Sequence, residues 1–140
     1  QIYKGERFSG VTLHKIDNGI DTGEIIDQKR FKIKINDTAY QNYIKLMELS
    51  VKIFKRNLFK IINNNYKTKK QKLSNGSYFS RNSVNYNKIS KFKVKNFNIK
   101  MHNKIRSLIF PAYQLPEVNG VKIVKSIYKN KKVNLIEYND

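Results

Sequence analysis

Three side chains able to move protons lie within eight residues of one another: His14, Asp17 and Asp21. They sit in Gly10-Val-Thr-Leu-His14-Lys-Ile-Asp17-Asn-Gly19-Ile-Asp21-Thr-Gly23-Glu-Ile-Ile26, which begins and ends in short alternating runs and turns on glycine. A carboxylate at a tight turn between two strands can take a proton from a substrate, and a nearby imidazole can support it. The same residue types build ordinary surface hairpins, where Asp and Gly only shape the turn. Spacing alone leaves both readings open.

The elements that must position these residues follow from periodicity. Val11 and Leu13 share one side of a strand, and Thr12, His14 and Ile16 the other. Alternation resumes from Ile25 to Ile35, which predicts an antiparallel partner strand. Asp37 or Thr38 is placed to cap a helix. Tyr40, Tyr43, Ile44, Met47, Val51, Phe54, Leu58, Ile61 and Ile62 then recur at helical steps, predicting a helix to about Ile62 whose apolar stripe packs in a core. A polar connector rich in Lys follows. Met101, Ile105 and Leu108 mark a second helix over 99–109, stopping at Phe110-Pro111. Asn119-Gly120 predicts a type I′ hairpin, and two further strands are expected over Val121–Tyr128 and Val133–Tyr138.

The Asp-bearing stretch resembles the Gly-Val-Thr-x-His…Asp-x-Gly-x-Asp-x-Gly signature of formyltransferases that use 10-formyltetrahydrofolate. A second segment, Lys104-Ile-Arg106-Ser-Leu-Ile-Phe110-Pro111-Ala-Tyr113, is similar to a segment of the nucleotide-sugar N-formyltransferases, as is Gly76-Ser-Tyr78-Phe79 before it. The resemblance implies that Asp21 is the catalytic carboxylate in attack of an amine on a formyl carbon, with His14 and Asp17 supporting it. It implies contact of Gly19, Ile20 and Asp21 with the folate. Tyr78, Arg106, Phe110 and Tyr113 are the implied substrate-side residues, Arg106 as a phosphate ligand and the aromatics as stacking surfaces. The alternative for Phe110 and Tyr113 is a helix stop with packed aromatics. The family's upstream Asn-x-His pair has no match here: His102-Asn103 has the wrong order and spacing.

The implied fold is α/β. It is the C-terminal part of a Rossmann-like formyltransferase domain (antiparallel strand pair plus long helix, 1–65), then a basic linker (66–77), then a small helix and β-hairpin module (78–140). The implied partners are a nucleotide-sugar substrate, the N-terminal half of the same enzyme and, as a further arrangement, a second copy in a homodimer. The product would feed surface-polysaccharide synthesis in the cytoplasm. The chain alone is expected to be inactive, since the Asn-x-His half lies outside it.

Composition bounds these readings. The chain has 140 residues and no cysteine, which excludes disulfides and Cys-ligated metals, and no metal site is expected. No apolar run is long enough for a membrane helix. The net charge of +19 attracts polyanions. Lys, Asn and Ile are abundant together, however, as AT-rich coding produces, and the Lys67–Lys72 run reads as a solvated connector. Two alternatives remain: a methionyl-tRNA formyltransferase-like enzyme, which tolerates the positive charge, and a non-catalytic basic module binding RNA or DNA.

Overall fold

Alternation on either side of the Gly-rich turn yields two strands, β1 (Phe8–His14) and β2 (Ile25–Lys32), in the computed structural model, which describes residues 1–72, 74, 85, 89–111 and 113–138. They form a two-stranded sheet. Its direction is antiparallel: Lys15 N donates to Glu24 O (3.0 Å) near the turn, and Ile33 N to Arg7 O (2.9 Å) at the far end. β2 stops at Lys32, short of the predicted Ile35. The chain bends there because the Asp37 carboxylate accepts from Lys34 N (2.7 Å).

The long helix α1 (Ala39–Ile62) starts where a capping box closes. Gln41 N donates to Thr38 Oγ1 (3.2 Å), and Thr38 N donates to Gln41 Oε1 (3.0 Å). After α1 come β3 (Lys91–Phe92), α2 (Ile99–Leu108), β4 (Glu117–Val118), β5 (Val121–Lys129) and β6 (Lys132–Glu137). These four strands make one sheet in the order β3-β4-β5-β6. The β3–β4 pair is parallel, with α2 in the crossover, and the other pairs are antiparallel. Asn119 (φ 53°) and Gly120 (φ 87°) form the left-handed pair that a type I′ turn needs. Asn130 (φ 52°) and Lys131 (φ 60°) repeat that geometry between β5 and β6 without glycine.

The described residues cluster into two compact units. One holds those of Gln1–Phe8, Lys32–Tyr43 and Ser80–Asp140, the other those of Ser9–Phe31 and Ile44–Phe79. The first has an apolar core of Val94, Ile105, Ile109, Val118 and Ile123, with Phe92, Met101 and Leu135 packed against it. Asn98 caps α2 by accepting from Met101 N (3.0 Å). In the second unit α1 is fixed to β2 by polar chemistry: Asp27 accepts from the Arg56 guanidinium and from Asn57 Nδ2 (2.6 Å).

That attachment corrects the expected core face of α1. The buried residues of its second-unit portion are Ile53 and Asn57, while Met47, Val51 and Phe54 are about half exposed and Ile62 more so. The periodicity marks an apolar stripe correctly, but Arg56 and Asn57 must face Asp27, which turns the stripe outward. Leu58 and Ile61 are half-buried. The polar run after α1 also differs from a free connector. Ile25 and Lys69 exchange two backbone hydrogen bonds of 2.8 Å, and Thr68 Oγ1 donates to Glu24 Oε2 (2.8 Å). The lysine side chains of the run remain exposed.

Candidate active site

The turn between β1 and β2 is held from inside by Asp17. One of its oxygens accepts from Gly19 N (3.0 Å) and from the Thr22 hydroxyl (2.7 Å). The Thr22 hydroxyl first, then the Gly19 amide, hold this carboxyl below the usual carboxylate range. Asp17 is thereby the brace of the loop.

Asp21 stands at the other extreme. Its backbone is left-handed (φ 56°), a conformation costly for a side chain other than glycine, and its carboxylate is 87% exposed. Ile20, beside it, is 75% exposed. His14 lies behind Asp21, with Nε2 3.6 Å from a carboxylate oxygen, within ion-pair range but longer than a hydrogen bond. Its Nδ1 is 2.7 Å from Lys15 O, so Nδ1 carries the hydrogen and Nε2 is the ring atom that faces Asp21. The loop closes tightly at Gly23, which is buried. A Cβ there would lie 1.8 Å from Lys15 O, so only glycine passes.

Gln71 is a feature of this site that the sequence did not reveal. Its Nε2 donates to Asp21 O (2.9 Å) and to Gly23 O (2.6 Å). The link spans 50 and 48 residues, and nothing in a Lys-rich polar run marks one Gln as different. Glu24, next to the loop, is held below its ordinary range by the Thr68 hydroxyl and then by Lys15. A groove of about 610 Å³ beside it is lined by Ile25 to Gln28 and Lys67 to Lys72.

Of the residues expected on the substrate side, those described fall in the other unit and divide. Phe110 and Tyr113 come together, with ring centroids 5.3 Å apart. Two residues of the first turns of α1 join them: Tyr40 at 5.3 Å edge-on, and Tyr43 at 5.4 Å, each from Phe110. Tyr113, Tyr43 and Tyr40 are exposed, so this cluster presents aromatic surface to solvent. The helical spacing of Tyr40 and Tyr43 predicts core residues, and their exposure corrects that expectation.

Arg106 does not fit its expected part. It is 3% exposed, and its guanidinium donates to Asp37 O (2.7 Å), Lys34 O (3.4 Å) and Asn103 Oδ1 (2.9 Å). The two carbonyls lie at the bend before α1, so Arg106 ties α2 to that bend rather than facing a phosphate in solvent. Tyr78 and the Gly76-Ser-Tyr78-Phe79 segment lie outside the described residues. His102 is fully buried. Its Nε2 donates to Ile35 O (2.8 Å), and its Nδ1 accepts from the Ser126 hydroxyl (2.8 Å). Among the described residues no three His, Cys, Asp or Glu side chains converge as metal ligands, and no helix is long and apolar enough to cross a membrane.

Comparison with known proteins bears on this arrangement. Residues 1–58 match the formyl transferase family. Among solved structures, the sugar 3N-formyl transferase WlaRD, crystallised in the presence of dTDP and 5-N-formyl-THF, is 51% identical with a TM-score of 0.84. The match covers 92% of this chain and 46% of that one. The N-formyltransferase from Helicobacter canadensis, in complex with folinic acid and dTDP-3-aminofucose, is 48% identical with the same TM-score, covering 92% and 47%. Methionyl-tRNA formyltransferase from Prochlorococcus marinus strain AS9601 is 30% identical over 128 residues, 89% of this chain and 39% of that protein. The chain thus spans less than half the length of these relatives.

Proposed function

We propose that this chain, a formyltransferase by family over residues 1–58 and by fold over most of its length, is the C-terminal portion of a nucleotide-sugar N-formyltransferase. The whole enzyme would move a formyl group from 10-formyltetrahydrofolate to the amine of a nucleotide-linked aminodeoxysugar. The observation that carries this reading is the identity to the sugar enzymes, about half of the aligned residues, against 30% for the methionyl-tRNA enzyme.

The residues of the loop suit a folate. Ile20 offers an exposed apolar side chain at the turn, and the missing side chain of Gly19 makes room for the Thr22 hydroxyl, which would lie 2.0 Å from a Cβ there. Gly19, Ile20 and Asp21 are the residues we assign to holding the folate. When bound, the folate supplies the formyl group. Asp21 then accepts the proton that the attacking amine must lose, directly or through a water, from an exposed carboxylate on a braced loop. His14 Nε2 lies 3.6 Å from this carboxylate, and Asp17 fixes the turn. On the sugar side we assign Phe110 and Tyr113, joined by Tyr40 and Tyr43, as a stacking surface for a base or sugar ring. The division into a domain part at 1–65, a linker at 66–77 and a module at 78–140 belongs to the same proposal. So does a cytoplasmic role in surface-polysaccharide synthesis.

The outward stripe of α1 supports a larger protein. Met47, Val51 and Phe54 expose apolar surface that water disfavours, and the relatives are about twice as long as the matched portion. We assign that stripe to contact with the N-terminal half. The test is formyl transfer by the full-length protein with formyl-folate and either a dTDP-linked aminosugar or methionyl-tRNA. Turnover of the sugar with none of the tRNA is expected. The reverse result would install the second reading, which the +19 charge and the methionyl-tRNA relatives favour.

A further inference from the structure

We propose that Gln71 is a positioning residue that latches the Asp21 loop into its working shape. The inference rests on Asp21 being the proton acceptor, as assigned above. Asp21 holds a left-handed backbone angle, uncommon outside glycine though Asp and Asn adopt it more readily than most, and contacts from the surroundings hold the loop in it. The Asp17 carboxylate fixes Gly19 and Thr22. Gln71 fixes Asp21 and Gly23. Both of its acceptors are backbone carbonyls, at 2.9 Å and 2.6 Å, and a carbonyl only accepts. The group facing them must therefore be a nitrogen with two hydrogens to give, which the Gln amide is. By tying the carbonyls on either side of Thr22 to one atom, Gln71 fixes the Asp21–Thr22 peptide plane, one of the two that carry the Asp21 Cα, and the Gly23–Glu24 plane that follows. Its own placement is set by the Ile25–Lys69 backbone pair two residues earlier.

This gives the run at Lys67 to Lys72 a part in catalysis that none of its lysines performs. Reacting groups displaced by about 1 Å can lose roughly 100-fold in rate, so releasing two anchoring bonds should appear in kcat before it appears in binding. The test uses the full-length enzyme and four single variants. Gln71→Met removes the donors at similar size, Gln71→Glu puts an acceptor against the two carbonyls, and Gln71→Lys retains donors. Thr68→Val loosens the same segment without touching Asp21 or Gly23. Gln71→Met is expected to lower kcat roughly 10- to 100-fold with the nucleotide-sugar KM within about twofold, Gln71→Glu to lower it further, Gln71→Lys to recover most of the loss, and Thr68→Val to change kcat less than about threefold. In an Asp21→Asn background, Gln71→Met should add little further loss, because the latch acts through Asp21.

Wild-type kcat in Gln71→Met, with Asp21→Asn inactive, overturns the latch and leaves the assignment of Asp21 standing. Full activity in Asp21→Asn removes both. If Gln71→Met fails to fold, Gln71→Lys against Gln71→Glu decides: equal kcat per folded enzyme overturns the proposal, and a higher value for Lys supports it.

Discussion

Replacing Gly23 by Ala tests the geometry of the Asp21 loop with one methyl group. The added Cβ would meet Lys15 O at 1.8 Å and Lys15 C at 2.6 Å. Both are backbone atoms, so no side chain can swing aside. Real Cβ atoms stay beyond 3.0 Å of other atoms, so the loop must open by about 1.2 Å at this point. The movement strains the Lys15 N to Glu24 O bond of 3.0 Å and the Gln71 bond to Gly23 O of 2.6 Å. Overpacking of this kind costs about 1–3 kcal/mol of stability. A displacement near 1 Å in a loop that presents the carboxylate we assign to catalysis should lower kcat roughly 100-fold. The assay is formyl transfer by the full-length protein at saturating donor, beside denaturant unfolding. Gly120→Ala is the comparison: Gly120 has φ 87° and nothing within 4 Å of its would-be Cβ, so only backbone strain of about 1 kcal/mol is incurred and kcat should hold. A Gly23→Ala enzyme with wild-type turnover would refute the reasoning, because the loop would then tolerate displacement or play no part in the chemistry.

Four other outcomes are expected. Asp21→Asn in the full-length protein should lower formyl transfer about 100-fold or more while leaving the unfolding midpoint unchanged, and a rate within about threefold of wild type removes Asp21 from the mechanism. Arg106→Ala should cost about 1–3 kcal/mol in unfolding experiments, because it strips the donors from the carbonyls of Asp37 and Lys34, yet leave nucleotide-sugar affinity of the folded protein intact by calorimetry. His102 gives a pH dependence. Burial pushes its pKa below the ordinary 6.5, with Arg106 adding to this and the Ile35 carbonyl opposing, so its contribution is fully present above the unfolded value and is lost as pH falls toward the lowered folded one. Unfolding free energy should therefore drop as pH falls through the ordinary value of 6.5 and below, and His102→Gln should flatten that drop. Lys131→Gly should raise stability by about 0.5–1 kcal/mol, since Lys131 sits at φ 60° in a two-residue turn; an unchanged midpoint would show the turn carries no strain.

What the residues announced by themselves is chemistry that a chain settles with its near neighbours. Asp17 reaches Gly19 and Thr22, Thr38 and Gln41 cap each other, Asn98 caps α2, and Asn119-Gly120 makes its turn, all within five residues. Such bonds close small rings, so residue type and spacing suffice to read them. The helical period of α1 was legible for the same reason, since it depends only on the repeat of the backbone. Which side of α1 is covered was not, because that hangs on Asp27 meeting Arg56 and Asn57, 29 and 30 residues away. The buried role of Arg106 depends on carbonyls 69 and 72 residues earlier, and the hold of Gln71 on Asp21 spans 50. A carbonyl carries no side-chain identity and a lone Gln no periodicity. Only closing the chain into its tertiary structure decides which donors meet which acceptors, and here it turned an expected phosphate ligand into an internal tie and an unremarked polar residue into the neighbour of Asp21.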